Sequence, residues 1–222
     1  MPLGPALRSL MSPATERRLS GVYRSLFVNL DRVAESLLPH IPENARVLDI
    51  GGGDGELINR LLKNRPDVSV DMVDIAPTVG KFIEQEYEPR IKRFTETPVE
   101  SLASDGPPYD VALVSDVMHH LPASYRAPFL HSVRQKLRSS ACILIKDIEP
   151  GHIISWLSLF CDKHISGDHG VSLVSIAEMT RLAAPLLPEE VVEVGLLKQD
   201  SPNYALKIVL GESSRWTKTD LH

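Results

Sequence analysis

The sequence predicts an α/β domain built on a mostly parallel sheet with helices on both faces. Strand-like and helix-like segments alternate five times between Arg46 and Ile148, as parallel strands joined by crossover helices require. The run from Asp110 to Ser115 is continuously apolar between its ends, the pattern of a strand buried on both faces. With 222 residues, 43% of them hydrophobic, the chain is long enough to bury one such core.

The elements follow in order. From Ala14 to Leu38 the residues Leu19, Val22, Tyr23, Leu26, Phe27, Leu30, Val33 and Leu37 recur at helical spacing, predicting one or two amphipathic helices that Pro39 and Pro42 end. Arg46 to Ile50 is a short strand. Glu56 to Lys63 is a helix stopped near Asn64 and Pro66. Val68 to Asp74 is the second strand, followed by a helix over Pro77 to Tyr87 in which Pro77 suits the first turn. Ile91 to Thr95 is the third strand. Asp105-Gly106-Pro107-Pro108 is a loop by composition. Asp110 to Ser115 is the fourth strand. Pro122 to Arg138 is helical with Phe129, Val133 and Leu137 on one face, and Ala141 to Ile148 is the fifth strand. Beyond it come an apolar helix (His152 to Lys163), a polar loop (Ser166 to Gly170) and a further helix (Ser175 to Ala184). Two β-rich runs, Glu190 to Leu196 and Tyr204 to Leu210, read as an antiparallel pair. The division expected is a helical segment over 1–43, a main domain over 44–212 with an insertion around 150–172, and a loose tail over 213–222.

Charge and composition narrow the function. A net charge of −5 argues against a dedicated nucleic-acid binder, which carries a basic surface. The two cysteines, Cys142 and Cys161, offer no disulfide framework and no zinc spacing, which fits a reducing compartment. No apolar run reaches the ~18 residues of a membrane span. Met1 to Leu19 carries Arg8, Arg17 and Arg18 without the apolar stretch of a secretion signal. The expectation is a cytoplasmic protein with no nucleic-acid or membrane partner.

The first strand runs into Val47-Leu48-Asp49-Ile50-Gly51-Gly52-Gly53-Asp54-Gly55. Glycines between a strand and a helix let a ligand approach the backbone, and the helix start supplies N–H donors. A dinucleotide site would need G-x-G-x-x-G, but the sixth position is Glu56 counted from Gly51 and Ile58 counted from Gly53. Asp74 lies 74 − 55 = 19 residues beyond the last glycine, close to the ~20-residue offset at which an acid meets ribose hydroxyls. It either binds a ribose or only caps the segment at Pro77.

The pattern Asp49-x-Gly51-x-Gly53-x-Gly55 resembles motif I of class I S-adenosylmethionine (SAM)-dependent methyltransferases, and the resemblance covers roughly Asn44 to Leu210. It implies a doubly wound, mostly parallel, seven-stranded Rossmann-like sheet with an antiparallel last strand and an N-terminal helical lid. SAM is the cofactor implied. It carries no phosphate, so the acids Asp49 and Asp54 are tolerable beside it. By this resemblance Gly51, Gly52, Gly53 and Gly55 line the cofactor, and Asp49 holds the turn or, through water, the ammonium group. Asp74 takes the ribose, Ile75 the adenine face, and Glu96 or Thr97 the adenine amino group. Ser115 contacts the methionine part, with Asp116 beside it.

The segment Val114-Ser115-Asp116-Val117-Met118-His119-His120-Leu121-Pro122 resembles the one that lines the methyl-transfer site of small-molecule members. His119 or His120 is the candidate general base, and Asp147 at the end of the fifth strand is a candidate to face the methyl group. Asp116, His119 and His120 suit a divalent ion by ligand type, as do Asp162, His164, Asp168 and His169, yet the spacing fits no strong motif and no metal is expected. Tyr23, Phe27, Trp156, Phe160 and His164 are the substrate candidates, on the lid and the insertion. The expectation is O-methylation of a small, partly hydrophobic molecule. Macromolecule methylation, a SAM-binding protein that transfers no methyl and a nucleotide-dependent oxidoreductase are the alternatives. A homodimer is left open.

Overall fold

The computed structural model describes residues 15, 17, 28–103, 106–161, 170–184 and 192–211, with only the backbone described at 158–161 and 192–193. Its centre is a seven-stranded sheet in the order β3-β2-β1-β4-β5-β7-β6. The strands are β1 (Arg46–Ile50), β2 (Ser69–Val73), β3 (Ile91–Phe94), β4 (Tyr109–Ser115), β5 (Leu137–Ile148), β6 (Val192–Leu197) and β7 (Asn203–Leu210). Strands β1 to β5 pair in parallel, and β7 runs antiparallel to both β5 and β6. The single reversed strand is therefore β7, as the resemblance implied.

Successive residues of each strand enter opposite layers, as the period of two demands. Leu48, Ile50, Ala112, Val114, Ile143 and Ile145 face one core, and Val47, Val111, Leu113, Cys142 and Leu144 face the other. The first core is closed by α3 (Ala123–Gln135) and α5 (Ile176–Ala183). The second is closed by α1 (Leu30–Leu37) and α2 (Glu56–Asn64). Helix α1 starts at Asn29, whose side chain accepts from the backbone of Asp31 (3.1 Å) and Arg32 (3.2 Å), satisfying two donors that the helix leaves open. It buries Val33, Ala34 and Leu37 in the same core as Ile58, Leu61 and Leu62 of α2. Helix α4 (Ile153–Cys161) follows β5.

Two elements depart from the sequence reading. Pro77 to Tyr87 forms no α-helix, and only a 3-10 turn at Gln85–Arg90 overlaps its end. The backbone groups of this segment are spent elsewhere. Gly80 N–H donates to Gly53 O (2.8 Å) and Phe82 N–H to Asp54 O (2.8 Å). Asn59 of α2 donates to Phe82 O and accepts from Glu84 N–H. Tertiary bonds to the glycine turn replace the helical ladder. Strand β5 also begins at Leu137 instead of Ala141, because Leu137 pairs with Tyr109 across a register shift before Val111. Among the described residues no helix is long and apolar enough to cross a membrane.

The strand order reverses between β1 and β4. In open α/β sheets the ligand crevice lies there, outside the carboxyl ends of the strands. The glycine turn leaves β1 at this point, and the histidine segment leaves β4.

Candidate active site

The glycine turn is shaped by what lies beneath it. A Cβ on Gly52 would sit 2.4 Å from Asp49 Oδ2 and 2.7 Å from Met72 Cε, so no larger residue fits there without a shift. Gly53 has φ +51°, a backbone that L side chains rarely adopt, and the nearest atom to an added Cβ is 3.8 Å away. Glycine at 53 thus serves the backbone conformation and leaves the peptide open on its outer side. Gly51 and Gly55 complete the turn at φ +69° and +87°, with Gly55 at the start of α2.

Asp49 lies under the turn, 3% exposed. Its Oδ2 has no hydrogen-bond partner among the described residues. Burial, and then the charge of Asp74, push its carboxyl up to about 7. The sign for stability follows by linkage. Below pH about 4 both the folded and the unfolded chain hold this proton, and the group costs nothing. Between about 4 and 7 only the unfolded chain releases it, so stability falls as pH rises, by on the order of 4 kcal/mol above pH 7. Asp49→Asn is expected to remove this loss: the ligand-free variant melts higher than wild type at pH 8 and close to it at pH 4. Thermal melts across that range check this, and a variant that shows the wild-type pH slope contradicts it.

At the end of β2, Asp74 Oδ1 accepts from Ala76 N–H (2.9 Å) and Oδ2 from Gly53 N–H (3.3 Å). Ile75 projects outward beside it, 76% exposed. The exit of β3 is clamped to the same place: Glu96 N–H donates to Ala76 O and Thr97 N–H to Asp74 O. Glu96 is exposed, with φ +51°. The structure thus gathers Asp74, Ile75, Glu96 and Thr97 along one edge of the crevice.

The exit of β4 forms the opposite edge. Ser115 ends the strand and donates through Oγ to Asp116 Oδ2 (3.4 Å). Asp116 has φ +57°. Its carboxylate takes Lys146 Nζ on both oxygens, at 2.6 and 2.8 Å. Burial alone would raise the Asp116 carboxyl, but the charges of Lys146, His119 and His120 outweigh it and hold the group below the usual carboxylate range. Val117 packs against Gly51, joining the two turns.

The 3-10 turn Met118–His120 then presents the two histidines. They are not equivalent. His119 is buried, and its Nδ1 lies 2.6 Å from Asp147 Oδ1. His120 is exposed, its ring centroid 4.2 Å from that of His119. Asp147 has no exposed surface. Its Oδ1 also accepts Ile148 N–H, and Oδ2 is without a partner among the described residues. It sits behind His119, not at the surface of the crevice.

Asp116, His119 and Asp147 each offer one donor atom within 4.8 Å of the others. The Lys146 ammonium, however, already neutralises the Asp116 oxygens that a divalent ion would use. Of the substrate candidates, Trp156 lies on α4, 64% exposed. Phe160 is on the same helix, its side chain outside the described residues. Tyr23, Phe27 and His164, with Asp162, Asp168 and His169, also lie outside the described residues. Sequence reasoning missed Lys146 and Arg126. Each left a signal: Lys146 directly follows the apolar run Ala141–Ile145 of β5, and Arg126 sits three and seven residues before Phe129 and Val133, on the buried face of α3.

Residues 48–143 match a family model described as a methyltransferase domain. The matched residues take in the end of β1, all of β4 and both turns of the crevice. No curated protein matches the sequence. Solved structures show the same fold at low identity. An O-methyltransferase family protein from Burkholderia thailandensis is 17% identical at a TM-score of 0.60, over 77% of this chain and 52% of its own. An O-methyltransferase family 2 protein from Planctomyces limnophilus, in complex with apigenin, is 19% identical at 0.66, over 88% and 61%. Human N-acetylserotonin methyltransferase, in complex with SAM, is 15% identical at 0.62, over 81% and 52%. The chain thus spans between half and two thirds of the length of these structures.

Proposed function

We propose that the chain is a methyltransferase that binds SAM across the carboxyl ends of β1, β2 and β4 and directs its methyl group to a hydroxyl of a small, partly apolar molecule. The observation that carries this reading is the buried His119–Asp147 pair beside the glycine turn. Two structural neighbours are described as O-methyltransferase proteins, and one is held with apigenin.

The residues present fit SAM. The orphaned Asp49 Oδ2 lies under an open peptide at Gly53, a place for an ammonium group held directly or through water. Asp74 engages one backbone N–H with each oxygen, and a carboxylate has about four acceptor positions, so it keeps capacity for a ribose diol. Ile75 offers an exposed apolar face to adenine, with Glu96 and Thr97 beside it.

When bound, SAM supplies a methyl group activated by its sulfonium, so the protein's main tasks are alignment and proton removal. Asp147 as carboxylate only accepts, which fixes the His119 proton on Nδ1 and leaves Nε2 as the nitrogen that takes a proton. His119 removes the acceptor hydroxyl's proton, and the buried Asp147 stabilises the imidazolium that forms. The apolar residues of α4 suit a hydrophobic part of the acceptor. The test is incubation with methyl-labelled SAM and panels of hydroxyl and amine acceptors. Label in an ether product supports the reading, and label confined to amine products overturns it.

A further inference from the structure

The histidine turn is held from behind by a buried arginine. Arg126 of α3 is 2% exposed. Its Nε donates to Met118 O and Leu121 O, both at 3.2 Å, the carbonyls that bracket His119 and His120. Nη2 donates to Ser172 O (2.6 Å), and Nη1 pairs with Glu178 Oε1 (2.7 Å). Ser172 N–H in turn donates to His119 O (2.8 Å). Hydrogen bonds thus close a ring: His119 to Ser172, Ser172 to Arg126, and Arg126 to both flanks of His119.

The third member of the ring belongs to the arm that returns from the insertion. That arm is fixed at other points as well. Tyr204 donates to Val174 O (2.8 Å), and Ile176 N–H donates to Glu149 Oε2 (2.7 Å). Val171 and Val174 are buried. The arm and the histidine turn therefore move together or not at all, and Arg126 is the fastening between them.

We propose that Arg126 is a positioning residue for His119: it sets the 118–121 turn so that Nδ1 meets Asp147, and it couples that alignment to the arm at 170–178. The catalytic consequence rests on the proposed base role of His119, whereas the alignment itself does not. Arginine is required because its planar fork serves three carbonyls and a carboxylate in fixed directions. A lysine keeps the charge but reaches only part of this set.

Arg126→Lys is tested in two ways. In the ligand-free protein, NMR detects the hydrogen-bonded His119 Nδ1–H proton, identified by its loss in His119→Gln. It is expected downfield and sharp in wild type, and shifted or broadened in Arg126→Lys at retained thermal stability. In turnover assays kcat is expected to fall by about 100-fold, the scale of a ~1 Å misplacement, with SAM affinity unchanged. A folded Arg126→Lys protein with the wild-type Nδ1–H resonance overturns the proposal. A shifted resonance in a protein whose wild type transfers no methyl upholds the positioning and defeats only the proposed reaction. Should Arg126→Lys not fold, Glu178→Ala releases one arm of the fork; a shifted His119 resonance then supports the proposal and a wild-type resonance overturns it.

Discussion

His119→Ala is expected to lower kcat by about 10²–10⁴-fold, the range that a positioned general base contributes, while SAM affinity stays at its wild-type value. The expectation rests on the difference between the two histidines. His119 is buried and has a carboxylate at 2.6 Å to orient its ring and balance its charge. His120 is exposed, and His120→Ala is expected to have a much smaller effect. Asp147→Asn keeps the shape of the pair but can present an amide N–H to Nδ1, which favours the opposite tautomer, so it too is expected to lower kcat strongly. Steady-state kinetics beside SAM titrations check all three variants. A His119→Ala protein with wild-type kcat would remove the base from the mechanism.

Asp74→Ala is expected to weaken SAM binding by at least about tenfold for one lost bond and at least about a hundredfold for two, since a hydrogen bond to a charged group is worth ~1.5–3 kcal/mol. Asp74 also holds Ala76 N–H and Gly53 N–H, so part of the loss comes from a looser turn. Asp74→Asn separates the contributions: its carbonyl oxygen keeps one of these bonds, and an intermediate affinity is expected. Because Asp74 is one cause of the raised Asp49 carboxyl, its removal should also flatten the pH dependence of stability. Unchanged affinity in Asp74→Ala would refute the ribose role.

Much of this was legible in the sequence because it depends on local pattern. Strand β4 and the second half of β5 carry apolar runs, the glycine turn is a contiguous motif, and Asp74 is found by counting. The helix expected over Pro77 to Tyr87 was not decided locally. Its backbone groups bond to Gly53, Asp54 and Asn59, partners supplied only once α2 is in place. The same holds for the site. His119 and His120 are adjacent in sequence and alike in chemistry, and only the packing of β5 beside β4 gives one of them Asp147. Asp147 reads as a crevice residue from its place at a strand end, yet it lies behind the imidazole. Lys146 and Arg126 carried a readable signal, a charge among apolar neighbours, but their partners are distant in the chain.

The most direct test of the central claim, that the crevice between β1 and β4 takes SAM, is a calorimetric titration of the purified protein with SAM and, in parallel, with NADH. Saturable SAM binding that Asp74→Ala weakens, with no heat from NADH, is the predicted result. No SAM binding by the folded protein, or binding of NADH in its place, would contradict it.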